Sequence, residues 1–230
     1  MTDRDITILD PTLEHMAHEE AWRGIAWQYT DEIVDHDLDS ELAQQRSERN
    51  RGDFLDALPT RYRAYTFESL RAHDGNNAAI DAAQGLAAGD NLYLWGAAGN
   101  GKTHLAVAVA RSRAARERCA FWNTATLFSQ LRRAAIGEAD WPDLVRPDLL
   151  VIDDLGKVKA TEFIFQELYR VLEERWSNER SSVFTANHRP TAAVKRLADD
   201  VESQGALLSR LGAGVVAEVR GSDERLGVAR

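Results

Sequence analysis

A chain of 230 residues, 44% apolar and 28% charged, is composed like an ordinary globular protein, and its length suits one full domain with a modest appendage. No run reaches the ~18–20 apolar residues that cross a bilayer, and Met1-Thr2-Asp3-Arg4-Asp5 is too acidic for a secretory signal; the expectation is a soluble, cytoplasmic protein with no membrane partner. The formal net charge of -9 argues mildly against a chain that coats nucleic acid, and a single cysteine, Cys119, excludes an intrachain disulfide or a thiolate metal cluster.

The acidity is uneven. Residues 1–52 hold five arginines against thirteen acids, which leaves 23 basic and 24 acidic side chains for the rest. Trp22, Ile25, Ala26, Tyr29 and Ile33 fall on one helical face. Residues 1–55 are therefore expected to form an acidic helical segment whose apolar stripe meets a partner or packs back on its own chain. Leu58-Pro59 interrupts the pattern, because a proline disfavours helix at the residue before it. The boundary is expected near 52–58, with one domain over 56–230.

Within that domain, short apolar runs alternate with helical stretches. Leu92–Trp95, Ala120–Trp122, Leu149–Ile152, Val183–Thr185 and Val215–Val219 read as strands, Cys119 being a core residue beside the second. Helices fit 76–88, 102–118, 124–136, 161–178 and 191–210. In the fourth of these, Ile164, Leu168 and Leu172 form one ridge, Phe165 and Tyr169 lie beside it, and Glu and Arg fill the outer face. The alternation predicts an α/β fold, a parallel sheet flanked by helices.

Gly96-Ala97-Ala98-Gly99-Asn100-Gly101-Lys102-Thr103 matches G-x-x-x-x-G-K-[ST], directly after a strand and before a helix. Glycines let successive N–H groups turn inward, and the helix aims its positive end at a β-phosphate. Lys102 would neutralise β/γ charge, and the Thr103 hydroxyl would hold Mg²⁺. The bland alternative is a glycine turn without ligand.

Asp153 and Asp154 close the third strand run, at the carboxyl end where ligands gather in such sheets. Asp153 is suited to hold Mg²⁺, and Asp154 to polarise the attacking water as general base. Two acids opening a surface turn before Gly156 is the alternative. Asn187, after Thr185-Ala186, could orient water or a γ-phosphate oxygen, or simply start a turn. These residues predict an Mg²⁺-dependent ATPase.

Trp95-Gly96 through Lys102-Thr103-His104-Leu105-Ala106, Leu150-Val151-Ile152-Asp153-Asp154-Leu155-Gly156 and Thr185-Ala186-Asn187, with Leu58-Pro59, Arg61-Tyr62-Arg63 and Phe67, resemble the DnaC/IstB-type branch of the AAA+ ATPases over about 58–225. The resemblance implies a P-loop AAA+ (ASCE) sheet domain without a helical lid. It implies a nucleotide site of residues 96–103 with His104, Asn187 as first sensor, and Arg210 of Ser209-Arg210-Leu211 as an arginine finger acting in trans, hence a homo-oligomer. Tyr65 to Phe67 are candidates to lie near the adenine. Arg225 matches a family-like tail without an assignable role.

The partners implied are a replicative DNA helicase, held through the amino-terminal helices, and single-stranded DNA, so the first functional expectation is a helicase loader. The alternative is an IstB-like transposition helper ATPase that forms filaments on duplex DNA. A third reading is a scaffold that binds ATP and scarcely hydrolyses it, against which the full set of site residues argues. Arg132 and Arg133, or Lys157 and Lys159, are the basic residues available for DNA.

Overall fold

The computed structural model describes residues 36–221. The stripe Trp22–Ile33 and Arg225 lie outside the described residues. Contacts divide the chain into two units, residues 1–45 and 46–230. Of the first, the described residues are the start of helix α1 (His36–Ala57).

In the second unit five strands form one parallel sheet in the order β2-β3-β4-β1-β5: β1 Asn91–Trp95, β2 Cys119–Asn123, β3 Leu149–Leu155, β4 Ser181–Ala186 and β5 Gly214–Glu218. Between them run α2 (Asn77–Gln84), α3 (Lys102–Arg113), α4 (Thr124–Ala135), α5 (Glu162–Ser177), α6 (Pro190–Leu197) and α7 (Val201–Leu211). Alternate residues of each central strand enter opposite layers. Leu92, Leu94, Leu149, Val151 and Val183 pack with α2 and α3, while Tyr93, Leu150, Ile152 and Phe184 pack with α4 to α7. Both faces are thus covered, which is why these strands read as continuous apolar runs. None of the helices among the described residues is long and apolar enough to cross a membrane.

Three features depart from the sequence reading. Helix α1 ends at Ala57, inside the expected 52–58 boundary and two residues before Pro59, but it belongs to the second unit from residue 46 onward. Phe54 and Leu58, each 2% exposed, already belong to the core beneath β1 and α3. The helix expected over 191–210 is two helices. Ala198 is extended, and the Asp200 carboxylate accepts the Ser203 N–H at 2.7 Å as the N-cap of α7. A capping aspartate offers the backbone a competing bond and starts a new helix instead of continuing the old one.

Arg175 is the third. Expected on the outer face of α5, it is 1% exposed. Its guanidinium donates to the carbonyls of Leu144, Val145, Pro147, Asp148 and Ser181 and to the Ser182 hydroxyl. It ties the 144–148 segment to the start of β4. Burial lowers its pKa to about 10.

Cys119, at the start of the edge strand β2, is half-buried, and its thiol donates to the Ala110 carbonyl at 3.4 Å. Burial, then Glu117, pushes it up to about 12. The thiolate is the reactive form, so a thiol reagent at neutral pH should label the native chain far more slowly than the urea-unfolded chain. Equal rates would contradict the packing around Cys119.

Candidate functional site

The loop between β1 and α3 has the backbone that its glycines predict. Gly96 has φ 151, and a Cβ there would come within 2.2 Å of the Val219 carbonyl. Gly101, at φ 88, turns the chain into α3. Such a left-handed position is open to glycine at little cost. Behind the loop, Leu105 to Ala110 are buried on every side of α3, which anchors the helix whose amino end faces the loop. Lys102 is 6% exposed and donates to the Ala97 carbonyl of its own loop at 2.6 Å. Asn100 braces the loop from below, donating to the Val219 carbonyl at 3.0 Å.

Two carboxylates in successive positions of a regular strand would point to opposite faces. Here both Asp153 and Asp154 line the same cleft, because β3 is bulged. Ile152 pairs with Phe184 and Leu155 with Ala186, so Asp153 and Asp154 together stand opposite Thr185. A bulge of this kind re-aims a side chain. Asp154 takes up the extra residue at φ 60.

The Thr185 hydroxyl clamps the bulge, donating to Asp153 Oδ1 at 2.7 Å and accepting the Asp154 N–H at 2.9 Å. The Thr103 hydroxyl donates to the same Asp153 oxygen at 2.7 Å. The Thr124 hydroxyl donates to the Asp153 carbonyl at 2.8 Å, and the Asn123 amide lies 3.5 Å from Oδ2. Burial raises the pKa of Asp153, the hydroxyl bonds from Thr185 and Thr103 oppose that, and the Asp154 charge adds to it. Thr124 and Asn123 carry no motif signal. Thr185 stood in the sequence as a strand residue and as part of Thr185-Ala186-Asn187, with no role of its own, since no spacing in the sequence marks a bulge.

The cleft encloses about 470 Å³, within the ~300–1,000 Å³ usual for small-molecule sites. Gly99, Gly101, Lys102, Thr103 and Asn187 line it with the two acids. Arg61, Tyr62 and Tyr65 complete the wall. Tyr62 stacks on Tyr65, and Tyr65 on His104 with centroids 4.3 Å apart. The His104 ring, counted with the nucleotide site in the sequence, is bonded to the turn before α2, its Nε2 lying 2.9 Å from the Thr66 carbonyl and 3.0 Å from the Ser69 hydroxyl. Phe67 packs into the layer beneath α3. A second groove, about 510 Å³ along β2 and the end of α1, contains none of the phosphate-loop residues.

Arg210 lies elsewhere. It sits on the last turn of α7, ion-paired to Glu173 at 2.5 Å and stacked 4.3 Å over Trp176. Its carbonyl accepts from the Asn91 side chain at the beginning of β1. The phosphate loop follows the other end of β1, about 13 Å along the strand, so Arg210 does not reach the cleft of its own chain.

The donor set fits a magnesium nucleotide. Mg²⁺ is usually held by one or two protein oxygens with waters and phosphates supplying the rest, and Thr103 with Asp153 presents such a pair. Among the described residues no group of three or more His, Cys, Asp or Glu forms an all-protein metal cage.

Residues 13–227 match the family described as IstB-like ATP binding protein. An insertion sequence ATP-binding protein of Sinorhizobium fredii is 28% identical over 212 residues, covering 90% of this chain and 70% of that protein. An insertion sequence ATP-binding protein of Geobacillus stearothermophilus is 29% identical over 126 residues, covering 53% of this chain and 49% of its own. Among solved structures, the DnaC helicase loader superposes with a TM-score of 0.59 at 20% identity, over 70% of this chain and 100% of that one, a likeness of fold. With its bulged acidic strand, its phosphate loop and a match over nearly its whole length, this chain belongs to the IstB-like ATP-binding family, on a P-loop AAA+ fold.

Proposed function

We propose that this protein is an Mg²⁺-dependent ATPase that acts on DNA as the ATP-binding helper of an insertion sequence. Lys102 exchanges the Ala97 carbonyl for the β/γ-phosphates. Thr103 and Asp153 would hold the metal ion, which would supply positive charge to offset that of the phosphates. Asp154 accepts the proton of the attacking water, and Asn187 at the cleft wall orients it. Arg210 of a neighbouring copy enters from outside, since it cannot serve its own cleft; leaving Glu173 and Trp176 makes turnover depend on assembly.

The observation that carries the DNA reading is a second recess beside the nucleotide cleft, about 230 Å³, lined by Lys157, Lys159, Lys195 and Arg196 with Gly156 and Asp199. Four cations around one recess are suited to a phosphate backbone despite the acidic total. The insertion-sequence relatives support the transposition reading. The loader reading draws on the separate unit of residues 1–45, which gives a helicase something to hold.

The deciding experiment incubates the full chain with ATP and Mg²⁺, with duplex DNA in one arm and the source's replicative helicase in the other. ATP-dependent, salt-sensitive filaments on duplex DNA under the electron microscope are expected. A stable helicase complex without filaments would overturn the helper reading in favour of the loader.

Thr185→Val keeps the shape of the clamp and removes both of its bonds. Loss of such a supporting contact typically costs about 10–100-fold. Turnover should fall by that order with little change in ATP binding, and unchanged turnover would show that the bulge holds without the clamp.

A further inference from the structure

Among the described residues, Lys157 is the side chain shared by the two cavities, lining both the nucleotide cleft and the basic recess. Its ammonium lies 3.0 Å from Asp154 Oδ2. Its own N–H donates to the Asp154 carbonyl at 3.2 Å, closing a turn that begins at the left-handed Asp154. Two of its neighbours in the recess are anchored otherwise: Lys159 pairs with Asp199 at 3.0 Å, and Arg196 donates to the Gly156 carbonyl at 3.0 Å. Lys157, with a side chain 63% exposed, has the freedom to turn from the carboxylate to the recess.

A carboxylate bonded to an ammonium has that oxygen engaged and is a poorer proton acceptor for a water. A phosphate in the recess offers the ammonium a competing anion. We propose that Lys157 is a positioning residue that holds Asp154 in an ion pair until a nucleic-acid phosphate in the recess draws its ammonium away, so that DNA occupancy frees the carboxylate for ATP hydrolysis. This rests on the reading of Asp154 as the proton acceptor. In the step itself the water loses a proton to Asp154 as its oxygen bonds to the γ-phosphorus, and the bond to the ADP oxygen breaks. No other reactant is needed.

The competition runs both ways, which supplies a readout independent of turnover. With no nucleotide present, Asp154→Asn removes the rival for Lys157, so binding of a fluorescently labelled oligonucleotide, read by anisotropy, should tighten several-fold. Removing an acid near DNA could tighten binding through the general field alone, so the same substitution is also made in a Lys157→Met background. There the gain should vanish, because the side chain being competed for is gone. Lys157→Met alone should weaken binding and reduce the log–log salt slope by about one.

In turnover, Lys157→Met should raise the DNA-free rate several-fold and abolish stimulation by DNA, and Lys157→Arg, which keeps the pair, should restore both to the unaltered pattern. An Asp154→Asn gain of equal size in both backgrounds, or a DNA-free rate that Lys157→Met does not raise, overturns the proposal. If Asp154→Asn abolishes turnover in that case, only the coupling is lost. If Asp154→Asn leaves turnover intact, the assignment of Asp154 falls with it.

Discussion

Asp154→Asn should lower ATP turnover by about 10²–10⁴-fold, the usual contribution of a positioned proton acceptor, while ATP binding stays within about twofold of the unaltered chain. The asparagine keeps the size of the side chain and loses the basicity. Phosphate binding rests on other groups, the turned backbone of residues 96–101 and the Lys102 ammonium, and the substitution touches neither. Lys102→Ala should do the opposite, removing the cation from the loop and weakening binding itself. Equilibrium binding of a fluorescent ATP analogue beside steady-state phosphate release separates the two. A turnover loss in Asp154→Asn matched by an equal loss of binding would place the residue in nucleotide capture instead of chemistry.

The second large effect is on stability. Arg175→Met should destabilise the chain by about 3 kcal/mol or more, because carbonyls buried around the guanidinium lose their donor at about 1–3 kcal/mol for each one left unsatisfied. Methionine refills part of the volume, so the loss is one of hydrogen bonds more than of packing. The bonds at stake join the 144–148 segment to the first residues of β4, and that segment leads directly into β3. For a domain of this size 3 kcal/mol corresponds to roughly 6–12 °C in Tm. Arg175→Lys should recover only part of it, since an ammonium cannot span the same acceptors as a planar fork. Urea unfolding at neutral pH measures both variants, and an unchanged midpoint for Arg175→Met would mean that water replaces the guanidinium at no cost.

These two residues differ in how visible they were beforehand. Asp154 stood in a motif: four apolar residues closing on paired acids, fifty residues after a phosphate loop. Arg175 had no such frame. By residue type it counted among the solvated charges of α5, although its place three residues after Leu172 continues the apolar ridge, and only the fold shows that the 144–148 segment closes over it. Periodicity reports which face of a helix meets the sheet, and it carries no signal for a loop that arrives from elsewhere. The division of 191–210 has a similar cause. The apolar pattern continues across Ala198, but an Asp200 side chain that bonds Ser203 starts a second helix there.

Local pattern alone determined the parallel α/β sheet, its five strands, the phosphate loop and the paired acids, because each depends on neighbours within a few residues: alternation, glycine conformations, a lysine and a threonine at the head of a helix. The tertiary structure decided what those acids do with one another. The pairing of β3 with β4 introduces the bulge, Thr185 on another strand clamps it, and both carboxylates then face one cleft, where Asp154 meets Lys157. It decided equally that Arg210 lies a strand's length from its own phosphate loop. A register between strands and a distance across a sheet belong to residues far apart in the chain, and the energy that selects them is the packing of the whole sheet, which no single segment contains.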